Sequence, residues 1–221
     1  MKPLVFVFRS VALALVVGVV GCSATEIALR EKVFGSAKRD QLVDRVEDAR
    51  EAQQAAKEQF ASALEEFLSM TGGQGTKLEA KYKALKTQSE SAAARASAVS
   101  ARIRKVESVG QALFSEWESE LSQYKTPALR QSSESMLRST RQQYDRLIGA
   151  MRAAESRMQP VLDVFNEQVL FLKHNLNAQA IASLQGTAAQ VESDVANLIR
   201  ELEASIAEAN EFIDQMGKPA A

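Results

Sequence analysis

From Leu42 onward the apolar residues recur at alternating steps of four and three, and this spacing persists with little interruption to Met216. Leu42, Val46, Ala49, Gln53, Ala56, Phe60, Ala63 and Phe67 form the first such stripe, with Gln53 as its one polar lapse. A second begins at Leu78 and holds the alternation through Tyr82, Leu85, Ser89, Ala92, Ala96, Val99, Ile103, Val106, Gly110, Leu113, Trp117, Glu120 and Tyr124. A heptad pattern places one apolar seam along a helix and leaves the other faces polar, which a strand of period two cannot do. The composition agrees, since 35 Ala stand beside 9 Phe, 3 Tyr and 1 Trp. A sandwich or barrel needs more β-branched and aromatic side chains and many more Gly/Pro turns. The expected fold class is therefore all-α, an elongated antiparallel coiled coil or four-helix bundle of long helices.

Breakers mark the turns. Residues 71–76 contain three Gly in six, and Lys125-Thr126-Pro127 provides an N-cap followed by Pro at the first helical position. The third run starts at Pro127 and carries Tyr144, Ile148, Met151, Met158, Leu162, Phe165, Val169 and Leu172, widened by Leu147, Ala154, Val161 and Phe171. Such breadth predicts contact with two neighbours and a central position. Leu147, Met151, Phe165, Val169, Leu198 and Leu202 should be among the best-buried residues. Pro160 should kink or bulge the helix, because it removes a hydrogen bond. The third turn falls within residues 172–186, and the fourth run, from Leu184 to Met216, stops at Gly217-Lys218-Pro219. Residues 77–105 carry eight basic and two acidic residues, and residues 187–216 one basic and seven acidic. Antiparallel pairing is expected from this, with Arg138, Arg141, Arg146, Arg152 and Arg157 of the third run facing the acidic fourth.

The amino terminus is an address. Lys2 and Arg9 precede an apolar run of ten residues, 11–20, too short to span a bilayer comfortably. Val19-Val20-Gly21-Cys22 resembles a bacterial lipobox, and the resemblance implies diacylglyceryl transfer to the Cys22 thiol, cleavage after Gly21 and acylation of the new amino terminus. Two or three acyl chains anchor a protein stably where one would exchange. Ser23 in place of Asp resembles outer-membrane sorting, so the expected location is the bacterial cell envelope, lipid-anchored, at the outer membrane facing the periplasm. The expected organisation is a cleaved signal at 1–21, a lipidated tether at 22–37 interrupted near Gly35-Ser36, one helical domain at 38–217 and a tail at 218–221.

Chemistry is sparse. One Cys precludes an internal disulfide, and one His makes a His/Cys metal cage untenable. No cofactor and no metal is expected. A net charge of −1, and no aromatics interleaved with Lys77, Lys81, Lys83 and Lys86, speak against nucleic acid. His174 reads as a turn residue at a helix end, Glu65-Glu66, Glu47-Asp48, Glu116 and Glu120 as solvated charges, and Phe114 and Trp117 as core or near-core positions. The triple-Gly segment lacks the Lys-Ser/Thr of a phosphate loop.

Three segments, LVDRVEDAREAQQAAKEQF (42–60), ALFSEWESELSQY (112–124) and VLFLKHNLNAQAIASLQG (169–186), resemble a family of uncharacterised, all-helical bacterial lipoproteins defined as a domain of unknown function. The likeness spans roughly residues 38–213 and implies a class and a compartment but no active site. The expected role is a non-catalytic scaffold or adaptor held to the membrane, with a protein partner or self-association through its helices. The alternative is a lipid or hydrophobic-ligand module on the third helix, with a cavity lined by Met151, Met158, Phe165 and Phe171.

Overall fold

A computed structural model describes residues 23–71 and 78–217. The signal expected at 1–21, Cys22, all but Thr71 of the turn expected at 71–76, and the tail expected at 218–221 lie outside the described residues. Four α-helices follow in order: α1 (Ser23–Thr71), α2 (Leu78–Glu120), α3 (Pro127–His174) and α4 (Ala178–Gly217), with a short 3-10 turn at Leu121–Gln123. Among the described residues only 124–126 and 175–177 are not helical, and no strand occurs. The packing described below belongs to the unit Gly35–Ala221.

Cross-helix bonds fix the arrangement. On α1 and α2, Lys38 meets Glu116, Asp48 meets Arg102 and Gln59 meets Gln88, so one number falls as the other rises. The pairs Ser89–Asn166, Glu107–Arg152 and Trp117–Ser133 do the same for α2 and α3. So do Arg50–Asn210, Gln53–Ser205 and Lys57–Glu203 for α1 and α4. With α3 packed on α4, this is an up-down-up-down four-helix bundle in which every neighbour is antiparallel. Forty-three residues at 1.5 Å rise make α2 roughly 65 Å long.

The heptad stripes are the core. All eight residues of the α1 stripe, Gln53 included, are fully buried, as are Leu147, Met151, Phe165, Leu198 and Leu202. Each Ala in the seam lets two backbones approach but removes little area from water, so stability comes from many thin layers.

Several expectations are corrected. Val169 is only half-buried, and Phe171 is exposed. The helix does not pause at Gly35-Ser36, because α1 is already helical from Ser23. A Gly inside a helix costs only about 1 kcal/mol, and the flanking Ala, Leu, Glu and Lys propagate an existing helix readily. Thr126 occupies the N-cap position, yet its hydroxyl caps nothing, and its carbonyl instead accepts the Arg130 amide at 3.1 Å. Pro160 is exposed and lies inside α3, whose helical span runs through it from Pro127 to His174. The third turn is residues 175–177, where Asn175 closes α3 through Leu172 and the Asn177 side chain caps α4 by accepting the Ala180 amide at 3.0 Å. Gly186 lies within α4 and breaks nothing. Nor is α3 more central than the others, for each helix of the bundle has two neighbours.

Candidate functional site

The lipobox residues Val19, Val20, Gly21 and Cys22 lie outside the described residues, so the described part of the molecule offers its seams, faces and ends. No helix among the described residues is long and apolar enough to cross a membrane. Nor do the described residues gather three or more His, Cys, Asp or Glu into a position to hold a metal ion.

The most unusual feature of the seam is polar. Gln53 of α1 and Ser205 of α4 are both fully buried and bond each other twice. The Gln53 amide donates to Ser205 Oγ at 2.8 Å, and Ser205 Oγ donates to Gln53 Oε1 at 3.1 Å. The heptad lapse at Gln53 was visible in the sequence, but its partner 152 residues away was not.

A second cluster joins α2 and α3. Gly110 leaves room for the buried Tyr144 ring, and a Cβ there would meet Cζ at 2.5 Å and Oη at 2.6 Å. Phe114 meets the same ring edge-on at 5.1 Å between centroids. Arg141 stacks 4.9 Å above Phe114 and donates to Glu118 at 2.6 Å. Burial, with Glu107 and Asp145 nearby, pushes the Tyr144 phenol up to about 12. Trp117 donates from Nε1 to Ser133 Oγ at 2.8 Å. These groups bind one another, and none is poised against a nucleophile.

The arginines of α3 correct the expected charge pattern. Arg141 and Arg152 reach Glu118 and Glu107 of α2, and Arg152 also bonds Glu155 of its own helix. They stand eleven residues apart, close to three turns, and so share the α2 side of α3. The acidic α4 instead takes Lys57 from α1, through Glu203. The basic start of α2 is largely answered locally. Lys83 pairs with Glu79 at 2.7 Å and Lys86 with Glu90 at 2.6 Å, and Lys81 donates to the Ser69 carbonyl. Each pairing holds Glu79 below, and Lys83 and Lys86 above, their ordinary ranges, chiefly through the hydrogen bond.

The remaining candidates are dispersed. Asp48 is held by Arg45 and Arg102, Glu47 by Arg50, and Glu116 by Lys38. His174 is exposed as the last residue of α3, where a basic side chain suits the negative end of the helix dipole. Met151, Met158 and Phe165 are core residues while Phe171 lies 38% exposed, so the four do not line a common space. A groove of about 310 Å³ runs between α1 and α4, lined by Arg50, Glu51, Gln54, Ala55, Glu58, Ile206 and Asn210. It is open and mixed in charge.

No curated protein matches this chain. The family described as "Protein of unknown function (DUF2959)" matches residues 28–216, nearly the whole bundle. The chain belongs to that family.

Proposed function

We propose that this protein is a non-catalytic scaffold or spacer of the bacterial cell envelope, anchored by acyl chains on Cys22 at the outer membrane and facing the periplasm. The observation that carries the reading is the succession of a lipobox-like Val19-Val20-Gly21-Cys22 by a bundle whose heptad seams are buried along most of the described residues. Some of its carboxylates and arginines are spent on interhelical and same-helix pairs, as at Asp48–Arg102 and Glu107–Arg152. Such charges set pairing and register, each exposed pair adding only ~0.2–1 kcal/mol. Helices roughly 65 Å long, by the rise of an α-helix, give the bundle long outer faces on which a partner could dock.

Growth with a labelled fatty acid tests the anchor. The native chain should take up label and fractionate with membranes. Cys22→Ser should do neither, and a membrane-bound, labelled Cys22→Ser protein would end the proposal.

A further inference from the structure

Two outer faces of the bundle carry opposite charge. On α2, Ala94, Ala98, Ala101, Lys105 and Ser108 step by four and three, two residues out of phase with the buried seam, so they run along the outward side of the helix. Residues 91–106 hold four basic side chains and no acidic one. Arg102 among them turns to Asp48 of α1, whereas Arg95, Arg104 and Lys105 are exposed and enter no ion pair among the described residues. On α1, Asp44, Glu51, Glu58 and Glu65 recur every seven residues along one exposed line. Beside it, α4 holds five acidic residues and no basic one from 201 to 214. The groove of about 310 Å³ lies between these two helices, with Ala55 and Ile206 in its lining. Arg50 in its wall is already engaged by Asn210 and Glu47. The side chains of Glu51 in the wall and Glu203 beside it are 68% and 56% exposed.

We infer that the α1–α4 groove receives the outward side of α2 from a second copy of this chain, with Arg95, Arg104 and Lys105 of one copy lying along Glu51, Glu58 and Glu203 of the other. The distance between packed helices is set by the side chains at the contact, and the Ala and Ser of α2 allow a close one. Arg95 and Lys105 stand ~15 Å apart along α2, and Glu51 and Glu58 ~10 Å apart along α1, by helix rise, so the charged lengths are of similar extent. Within one chain α2 is flanked by α1 and α3 and cannot reach its own α1–α4 groove. An anionic ligand on α2 would leave the acidic groove unanswered, whereas one contact between copies answers both faces. The two faces are different surfaces, so the contact is heterologous and adds copies one after another. The inference rests on the scaffold reading above and names its partner. Copies tethered to one membrane meet at a raised local concentration, so a contact steered by charge suffices.

Two differently tagged full-length copies, co-expressed and extracted together from membranes in detergent, read this by co-purification. The native pair should co-purify at low salt and separate at high salt, as screened charges do. Reversing α2 in both copies (Arg95→Glu, Arg104→Glu, Lys105→Glu) should cut recovery several-fold. Reversing the groove in both (Glu51→Lys, Glu58→Lys) should do the same. One copy of each kind should pair again, because the unaltered groove of the first meets the unaltered α2 of the second. All five positions are exposed, so every variant should melt near the native temperature. Recovery indifferent to these charges would overturn the association and leave the anchor standing. So would mixed kinds that fail to pair while melting normally, or native copies that never co-purify. Copies found in the soluble fraction would instead overturn the anchored reading beneath it.

Discussion

Gly110 shows how a single missing Cβ can set the distance between two helices. The Tyr144 ring lies against its Cα, held on the other side by Phe114, so a methyl group at 110 drives the ring out of place. Ala would add up to about 1 kcal/mol of helix propensity, while overpacking a filled seam costs typically ~1–3 kcal/mol. Gly110→Ala should therefore lower the melting temperature, and Gly110→Ala with Tyr144→Phe should recover little, because the ring carbons as well as the hydroxyl are in the way. Tyr144 also supplies a pH dependence. Its folded-state pKa of about 12 lies above the ordinary phenol value of 10.0, so the neutral ring favours folding. That contribution is fully present below pH 10 and drains away as pH rises through about 12. Ultraviolet titration should show one tyrosine ionising near pH 12 in the native protein, and Tyr144→Phe should abolish that step. The sequence marked Gly110 and Tyr144 as seam positions but could not pair them, since the heptad gives the face of a helix and not its neighbour's register.

At the scale of the element, the buried pair Gln53–Ser205 acts on α1 and α4 together. Ser205→Ala strands the Gln53 amide in the core, which costs ~1–3 kcal/mol. Gln53→Leu leaves a hydroxyl able to turn back to its own helix carbonyls and should cost less. The double variant should be nearly as stable as the native protein, giving a coupling of ~0.5–3 kcal/mol in a denaturation cycle. It should also loosen the choice of register, the best-attested use of a polar residue in an apolar seam. The third helix provides the plainer check. Met151 is fully buried, and Met151→Asp introduces an unpaired charge costing several kcal/mol, a large share of a typical domain's stability. Glu208→Lys on α4 should melt close to the native temperature; equal melting of the two variants would mean α3 is solvated. The periodicity made these long elements legible almost residue by residue. It misjudged Val169, Phe171 and the partners of the α3 arginines, because those depend on which of two flanking helices lies closer.

For the whole molecule, the fold and the proposed role come from different parts of the chain. The bundle follows from heptads and antiparallel pairing, and among the described residues it gathers no three His, Cys, Asp or Glu that could hold a metal ion. The proposed role depends on four residues ahead of it, Val19-Val20-Gly21-Cys22, whose spacing resembles a lipobox. Joined in the proposed reading, they give a helical bundle tethered to a membrane through Cys22. Everything functional in this account requires that Cys22 be the mature, acylated amino terminus. The intact mass of the protein extracted from membranes measures this in one step. The account predicts the chain from Cys22 to Ala221 carrying a diacylglyceryl group and an amide-linked acyl chain. A mass equal to an unmodified polypeptide, whether cleaved elsewhere or beginning at Met1, would contradict it.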